Sequence, residues 1–320
     1  MYFLSSNILI GKFRFLYPIS VNIKTSTTDV TDTAVIELPL MAVLKSTELL
    51  SLEKEIKRGD AVTVQIGYNN ELNTEFSGFV SNIIAEKTLK VECDNNAFIL
   101  KNELPNKNFR NTTLKDILSY ISTSFNIKLN SEIPEVTFAS FLLKDVTGLQ
   151  AIEKLKSEYG LTAFFDKKGA LYVGLAYTYL QPRKIFDLSL NVIPNNSSLK
   201  FKKEDEIKFK IKAISILKNN QRLEVETGDN EGEVRTLYFH NITSESELKR
   251  LANEEIQKYK YTGYDGSIVT FGLPYVEKGC SIELRDANYP QRQGTYYAES
   301  VNVSFGKQGF RRTIELGIKL

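Results

Sequence analysis

The sequence is poor in the residues on which nucleophilic and metal chemistry depend. Its 320 residues include one histidine, two cysteines and no tryptophan. His240 is therefore the sole possible centre of a Ser-His-Asp or Cys-His arrangement, and its neighbours Tyr238 and Phe239 indicate a strand end. One histidine and two distant cysteines do not have the spacing of a structural zinc site. We predict no catalytic, cofactor-binding or metal-binding residues and no cofactor, although the many carboxylates leave a glycosidase pair open.

The few cysteines and the balanced charge also limit the class of protein. Cys93 and Cys280 are too few for a disulfide framework, and both lie within or beside alternating strand patterns, which predicts buried, reduced thiols. With 41 Lys+Arg against 39 Asp+Glu, the net charge of +2 lacks the basic excess typical of a dedicated duplex-binding protein. No apolar run is long enough to span a membrane, and residues 1–8 lack the features of a secretion signal. We expect a soluble protein made in a reducing cytoplasm.

Two charged patterns suggest ligands, and each has a simpler explanation. Lys208, Lys210 and Lys212 share one face of a predicted strand, which is the best nucleic-acid candidate. No aromatic stacking partner shares their face, since Phe209 alternates to the other side, and such lysines also solvate a strand or protect a sheet edge from aggregation. The acidic segment 229–233 suggests calcium, but it lacks the spacing of the known calcium loop and favours a solvated hairpin tip.

Apolar and polar residues alternate at both ends of the chain. In the segment 276–320 this alternation predicts strands with one buried face, the first preceded by a turn at Gly279. The segment 56–93 has the same pattern in the same order, and its Gly59 stands 220 residues before Gly279. Three strands in one order with a shared basic-Gly turn favour duplication of one antiparallel unit. The inward positions that we expect to be equivalent are Val62 and Val64 in the first copy and Ile282 and Leu284 in the second.

The middle of the chain has helical periods instead. Capping patterns at Thr113 and Thr147 predict two helices, the second closed by a glycine, and a hairpin follows over 161–174. A third helix is predicted after Ser244, and the segment 44–55 is predicted to be a helical turn or loop. The apolar positions that we expect to pack the two-helix module are Leu114, Ile117, Ile121, Leu149, Ile152 and Leu155.

Several C-terminal segments carry a family resemblance. They are 266–274, which ends in Gly-Leu-Pro, the turn Lys278-Gly279-Cys280, and the segments 289–297 and 309–312. On these segments the chain resembles the baseplate hub proteins of contractile phage tails, the Mu-like hub and late control protein D relatives, which are also similar to the base of type VI secretion spikes. Similar hubs have aspartate after the turn glycine; Asp60 keeps it in the first copy, whereas Cys280 replaces it in the second.

The resemblance covers nearly the whole chain and implies its fold. We expect a mainly β protein with an α/β insert, in which two similar antiparallel β-barrel domains flank a small helix-helix-hairpin module. The first barrel would take residues 1–97, the inserted α/β module 98–179, and the second barrel, with one helix, 204–320. The segment 180–203 would return to complete the first barrel.

The function that the resemblance implies is structural rather than enzymatic. The chain would be the baseplate hub of a phage or prophage tail, or of a related contractile injection system, located in the virion after assembly in the bacterial cytoplasm. A homotrimeric ring would join the six-fold tail tube protein to the three-fold central spike protein, and DNA would pass through its channel without specific binding. The alternative is a tail-associated cell-wall hydrolase, which the absence of a spare catalytic domain before Leu320 disfavours. Barrels that bind oligonucleotides are a third possibility.

Overall fold

The computed structural model describes residues 3–43 and 49–320 and shows a mainly β protein, as predicted. Of the predicted turn or loop 44–55, residues 44–48 lie outside the described residues, while 49–51 form a strand and 52–55 a single helical turn. The N-terminal elements are β1 Leu4–Ile10, β2 Phe13–Phe15, β3 Ser20–Ser26, β4 Thr33–Leu38, β5 Met41–Val43, β6 Leu49–Ser51, α1 Leu52–Glu55, β7 Ala61–Tyr68, β8 Glu71–Ala85 and β9 Leu89–Asp94.

The helices of the middle region begin where their capping patterns predict. The Thr113 side chain accepts a hydrogen bond from the backbone N–H of Asp116, whose carboxylate accepts from the Thr113 N–H in return. Thr147 and Gln150 form the same box one helix later, and that helix ends at Gly160 in the left-handed region (φ +64°). The middle elements are α2 Ala97–Leu100, β10 Lys107–Thr113, α3 Leu114–Phe125, β11 Lys128–Leu129, β12 Thr137–Leu143, α4 Gly148–Tyr159, β13 Thr162–Phe165 and β14 Ala170–Gly174.

The C-terminal region adds one long helix and the remaining strands. The helix follows Ser244, whose side chain accepts a hydrogen bond from the Glu247 N–H, as predicted. Among the helices that the structure describes, none is long and apolar enough to cross a membrane. The elements are β15 Gln181–Asp187, β16 Lys200–Lys202, β17 Phe209–Ile216, β18 Arg222–Gly228, β19 Glu233–His240, α5 Glu245–Tyr259, β20 Gly263–Phe271, β21 Cys280–Arg285, β22 Gly294–Gly306 and β23 Gly309–Lys319.

Most strands belong to one continuous sheet. Its order is β16-β20-β23-β22-β3-β4-β9-β8-β7-β1-β2, and β21 joins it by pairing with β22 and with β15. We call β1–β4 and β7–β9 the first strand unit, and β15, β16 and β20–β23 the second strand unit. The pairings among residues 3–43 and 49–320 do not close into a ring, so the two barrels stay a prediction.

The two strand units have the same strand order. In the first, β3-β4-β9-β8-β7-β1 lie side by side; in the second, β16-β20-β23-β22-β21-β15 do. Gly59 and Gly279 precede equivalent strands with matching left-handed φ angles of +92° and +84°. Val62, Val64, Ile282 and Leu284 are all at most 2% exposed, because alternate residues of each strand face an apolar core. The predicted repetition is therefore confirmed at the level of strand order, but the last strand differs in direction, since β1 is antiparallel to β7 whereas β15 is parallel to β21.

The prediction that 180–203 completes the first unit is wrong for strand pairing. β15 runs parallel to β21, and β16 runs antiparallel to β20, so both strands of this segment extend the second unit. Phe186 is fully buried in the same core as Ile282 and Leu284. Burial of that ring stabilises the second unit by roughly 1.5–3 kcal/mol, which fixes the segment there.

A separate three-stranded sheet lies within the second half of the chain. β17 is its central strand, paired antiparallel with β18 and parallel with β19, and α5 covers one face. Segment 229–233 therefore crosses from one side of β17 to the other, and the predicted hairpin tip is wrong. The Asp229 carboxylate accepts a hydrogen bond from the Phe209 N–H, which ties this crossing to the start of β17.

The helical module packs partly through residues from outside it. Of its six predicted packing residues, Leu149 is partly buried and the others are fully buried. The same cluster includes Val30 from the β3–β4 loop and Ile214 and Ile216 from β17. The module is therefore continuous with its neighbours, and deletion of its residues would uncover apolar side chains on β17.

Candidate functional site at the junction of the strand units

The residues considered for catalysis lie apart; His240 is half-buried and the two cysteines are buried. His240 ends β19, and burial lowers the pKa of its imidazole, opposed by a hydrogen bond to the backbone of Tyr159. Cys93 and Cys280 are buried free thiols, as predicted. Burial raises the pKa of Cys93 to about 12 and also raises the pKa of Cys280, so both are protonated and weakly nucleophilic at neutral pH.

The three lysines at β17 are neutralised by glutamates, one from the crossing loop and two from β18. β17 is a central strand, so its lysines do not protect an edge. Three ion pairs hold them, with N–O distances of 2.8 Å for Lys208–Glu231, 2.6 Å for Lys210–Glu226 and 2.7 Å for Lys212–Glu224. Within the described ranges, no group of three or more His, Cys, Asp or Glu side chains is placed to hold a metal ion. The pairing supports a solvated face and not a phosphate-binding one.

The structure instead concentrates its unusual interactions where the two strand units meet. The C-terminal half of β22 pairs antiparallel with β3, from Ser300 opposite Ser26 to Gly306 opposite Ser20. The Thr25 hydroxyl donates to the Val301 carbonyl (2.8 Å), and the Thr27 N–H donates to the Glu299 carbonyl (2.9 Å). This seven-residue ladder, which we call the in-chain junction, makes the two units one sheet.

A buried ion pair lies at the end of the in-chain junction where Ser26 pairs with Ser300. The Lys278 ammonium lies 2.7 Å from both carboxylate oxygens of Asp32, and also donates to the Ser26 carbonyl at 2.9 Å. Burial lowers the pKa of Lys278 and raises the pKa of Asp32, while each charge opposes the shift of the other. Asp32 also accepts from the Ser26 N–H and the Asn95 amide, so its oxygens are well satisfied.

A second buried ion pair links β8 to β23. Both guanidinium Nη atoms of Arg312 donate to the carboxylate of Glu75, at 2.8 and 3.0 Å, and they also donate to the carbonyls of Val276 and Gly272. Arg312 is 1% exposed and lies over the Tyr275 ring at 5.0 Å. A planar guanidinium suits this two-pronged contact, which fixes both distance and orientation between the strand units.

Sequence patterns did not identify these four charged residues. Lys278 lies in a predicted turn and Arg312 in a predicted strand of alternating apolar and polar residues. A charged residue at an inward position of such a strand interrupts the apolar pattern. Arg312 does stand between the apolar positions of β23, with Phe310 and Ile314 both buried on its own face. The inward position of Arg312 could have been identified from the sequence. Its partner Glu75 could not, because it lies 237 residues away and no local pattern relates the two.

Comparison with known proteins adds structural neighbours. No family model matches the sequence, and no curated protein matches it either. A 43 kDa tail protein of prophage MuSo2 from Shewanella oneidensis is 16% identical, with 98% of this chain and 97% of that chain covered at a TM-score of 0.66. A tail protein from Neisseria meningitidis MC58 is 11% identical, with 99% and 96% covered at a TM-score of 0.65.

A third neighbour comes from a secretion system. The E. coli c3393 protein, a component of the type VI secretion system with structural similarity to the T4 bacteriophage tail proteins gp27 and gp5, is 10% identical at a TM-score of 0.60. The alignment covers 97% of this chain and 76% of that chain. At these identities the likeness concerns the fold. The chain has the fold of phage tail proteins and of a type VI secretion component, over nearly its whole length.

Proposed function

We propose that the chain is the structural baseplate hub of a phage or prophage tail, or of a related contractile injection system. Three copies form a ring between a six-fold tail tube and a three-fold spike, in a baseplate assembled in the bacterial cytoplasm. The duplicated strand unit carries this proposal. One chain contributes two similar units, so a ring of three chains presents six similar units to the tube while keeping three-fold symmetry for the spike.

The rigidity of the in-chain junction supports a load-transmitting role. Seven consecutive residue pairs and two buried ion pairs hold the strand units in one relative orientation. A protein that joins a six-fold tube to a three-fold spike must keep the two strand units of each chain from rotating against each other. The fold shared with tail proteins over nearly the entire chain agrees with this role.

The charge distribution suits passage of DNA without capture. The lysines of β17 are paired with glutamates, and the net charge of the chain is +2. Because each neutralised phosphate adds to affinity, a strongly basic channel would hold DNA in place. We expect weak binding of duplex DNA that disappears at moderate salt, measured by fluorescence anisotropy.

Light scattering coupled to size-exclusion chromatography tests the ring. We expect a trimer, either for the purified chain alone or after addition of the tube and spike proteins from the same genome. A dimer that persists with those proteins present would contradict the proposal. A zymogram on peptidoglycan tests the hydrolase alternative: we expect no clearing, and clearing by the purified chain would overturn the structural assignment.

A further inference from the structure

The two strands of the in-chain junction, β22 and β3, each have an equivalent strand in the other unit, and these equivalents are not paired with each other. β22 and β8 occupy the same place in the two strand units, and both carry an irregularity at the same point, between Ala298 and Ser300 in β22 and between Val80 and Asn82 in β8. This shared irregularity aligns Ser300 with Asn82 residue for residue. The segment 300–306, which pairs with β3, therefore corresponds to 82–88, of which the first four residues, Asn82 to Ala85, belong to β8.

The other side of the junction has a counterpart too. β3 lies beside β4 in the first unit as β16 lies beside β20 in the second. Cys93 corresponds to Leu316, because these residues pair with the equivalent residues Val80 and Ala298. Ala34 pairs with Cys93 and Gly266 pairs with Leu316, so Ala34 corresponds to Gly266 and Thr33 to Asp265. Lys24 pairs with Thr33 and Lys200 with Asp265, so Lys200 is the equivalent of Lys24.

Both counterpart edges are open in a single chain. Among residues 3–43 and 49–320, β8 beyond Asn82 pairs with β9 on one side, and β16 pairs with β20 on one side; neither has a strand partner on its other side. Ile83 and Leu199 are partly exposed, whereas their equivalents Val301 and Ile23 are buried at 2% and 1%. Open edges with apolar side chains are templates for pairing with another chain.

Charges at the two edges are also complementary. In the in-chain junction, Lys278 binds the carbonyl of Ser26 and the nearby Asp32. Arg58 stands 220 residues before Lys278, at the equivalent turn, and is exposed. The equivalent of Ser26 is Lys202, which is followed by the exposed Lys203 and then by three exposed acidic residues, Glu204, Asp205 and Glu206. A copy of the junction made between chains would bring Arg58 to that acidic turn.

We propose that β8 of one chain pairs antiparallel with β16 of a second copy, repeating the in-chain junction between chains. The equivalences set the register: Asn82 lies opposite Lys202, and Ile84 lies opposite Lys200. The two edges differ, so the contact is head-to-tail and either closes into a ring or continues as a filament. The inference deepens the ring proposed above and rests on that proposal for the number of chains, three, at which it closes.

A disulfide trap tests this register. Opposed residues of an antiparallel pair lie about 4.5–5.5 Å apart at Cα, within the range that disulfides span. We expect Ile84→Cys with Lys200→Cys to give a covalent trimer on mild oxidation. The native thiols Cys93 and Cys280 are buried and do not compete.

A matched control uses the repeat itself. Lys24 is as exposed a lysine as Lys200, but its strand edge is already paired with Asn302 of the same chain. Ile84→Cys with Lys24→Cys should therefore give no interchain disulfide, while Lys24→Cys with Asn302→Cys should give an intrachain one and a monomeric band under denaturing conditions.

The possible outcomes distinguish failure of the β8–β16 interface from failure of the three-chain ring. A trimer by light scattering without the Ile84–Lys200 cross-link would refute the interface and leave the proposed function standing. Cross-linked chains that extend without limit would support the interface and refute the three-chain ring. Neither trimer nor cross-link, with tube and spike proteins present, would refute both.

Discussion

At the scale of single residues, the buried Lys278–Asp32 pair allows a direct test of the contact between the strand units. Lys278→Met removes the cation and leaves the Asp32 carboxylate buried without its charge partner. We expect the free energy of unfolding to fall by about 3–5 kcal/mol, because breaking one side of a buried pair strands the other charge. Urea denaturation followed by circular dichroism measures this loss.

Lys212→Met is the matched control for Lys278→Met. Lys212 also forms an ion pair with a carboxylate, at 2.7 Å to Glu224, but on a solvated face. Exposed pairs contribute little because water screens both charges. We expect a small change in unfolding free energy for this variant, and equal losses for the two lysines would contradict the assigned role of Lys278.

His240 gives the fold a predicted dependence on pH. Burial lowers the pKa of its imidazole in the folded chain below the ordinary 6.5, so the unfolded chain binds the proton more readily. Stability from the neutral, half-buried imidazole is therefore present above the unfolded pKa and is lost as the pH falls toward the folded pKa. We expect His240→Gln to lose less stability than the native chain between about pH 7.5 and about pH 5.5. An equal loss in both proteins would assign the acid sensitivity to other groups.

At the scale of elements, the two equivalent glycine turns form a natural pair of test sites. Gly59 and Gly279 both have left-handed φ angles, but a Cβ at Gly59 meets no atom within 4 Å, whereas a Cβ at Gly279 would lie 2.7 Å from the Tyr179 ring. Gly59→Ala should cost roughly 1–2 kcal/mol from backbone strain alone.

Gly279→Ala should cost more than Gly59→Ala, since Tyr179 must also move. Tyr179 is buried against Phe164 and Tyr172, which leaves its ring little room to shift. Thermal unfolding of both variants under identical conditions measures the difference. A larger loss at Gly59 would argue against the close approach of Tyr179 to the second turn.

Elements with local signals were predictable from sequence, and elements fixed by distant contacts were not. The helices after Thr113, Thr147 and Ser244 were found because their caps are encoded within four residues. The parallel pairings of β15 and β19 were missed, since alternation does not specify which strand lies alongside or in which direction. The ion pairs of the in-chain junction were missed for the same reason, with partners more than 200 residues apart.

At the scale of the whole molecule, the repeat leaves the chain asymmetric. One copy of the junction forms inside the chain between β22 and β3, whereas the equivalent edges of β8 and β16 have no strand partner among the residues that the structure describes. The insertion of β17–β19 and α5 directly after β16 occupies the position of the short β3–β4 loop in the first unit. The interchain contact would therefore copy the strand ladder of the in-chain junction, but the acidic partner of Arg58 would come from the turn after β16, because the position equivalent to Asp32 is Tyr264.

The charge contact predicted between chains can be tested without disturbing either strand. Arg58 is exposed in the single chain, and so is Glu204 at the start of the acidic turn. Arg58 lies over the Phe98 ring at 5.5 Å, and an exposed contact of this kind contributes about 0.5–1 kcal/mol. Arg58→Glu should therefore lower the thermal stability of the monomer only slightly while it weakens association, because it places like charges at the contact between chains. Adding Glu204→Arg to the same chain restores opposite charges and should recover part of the lost association. Sedimentation velocity over a concentration series measures both effects. Association that is indifferent to Arg58→Glu, in a protein that still forms trimers, would locate the contact between chains at another edge of the sheet.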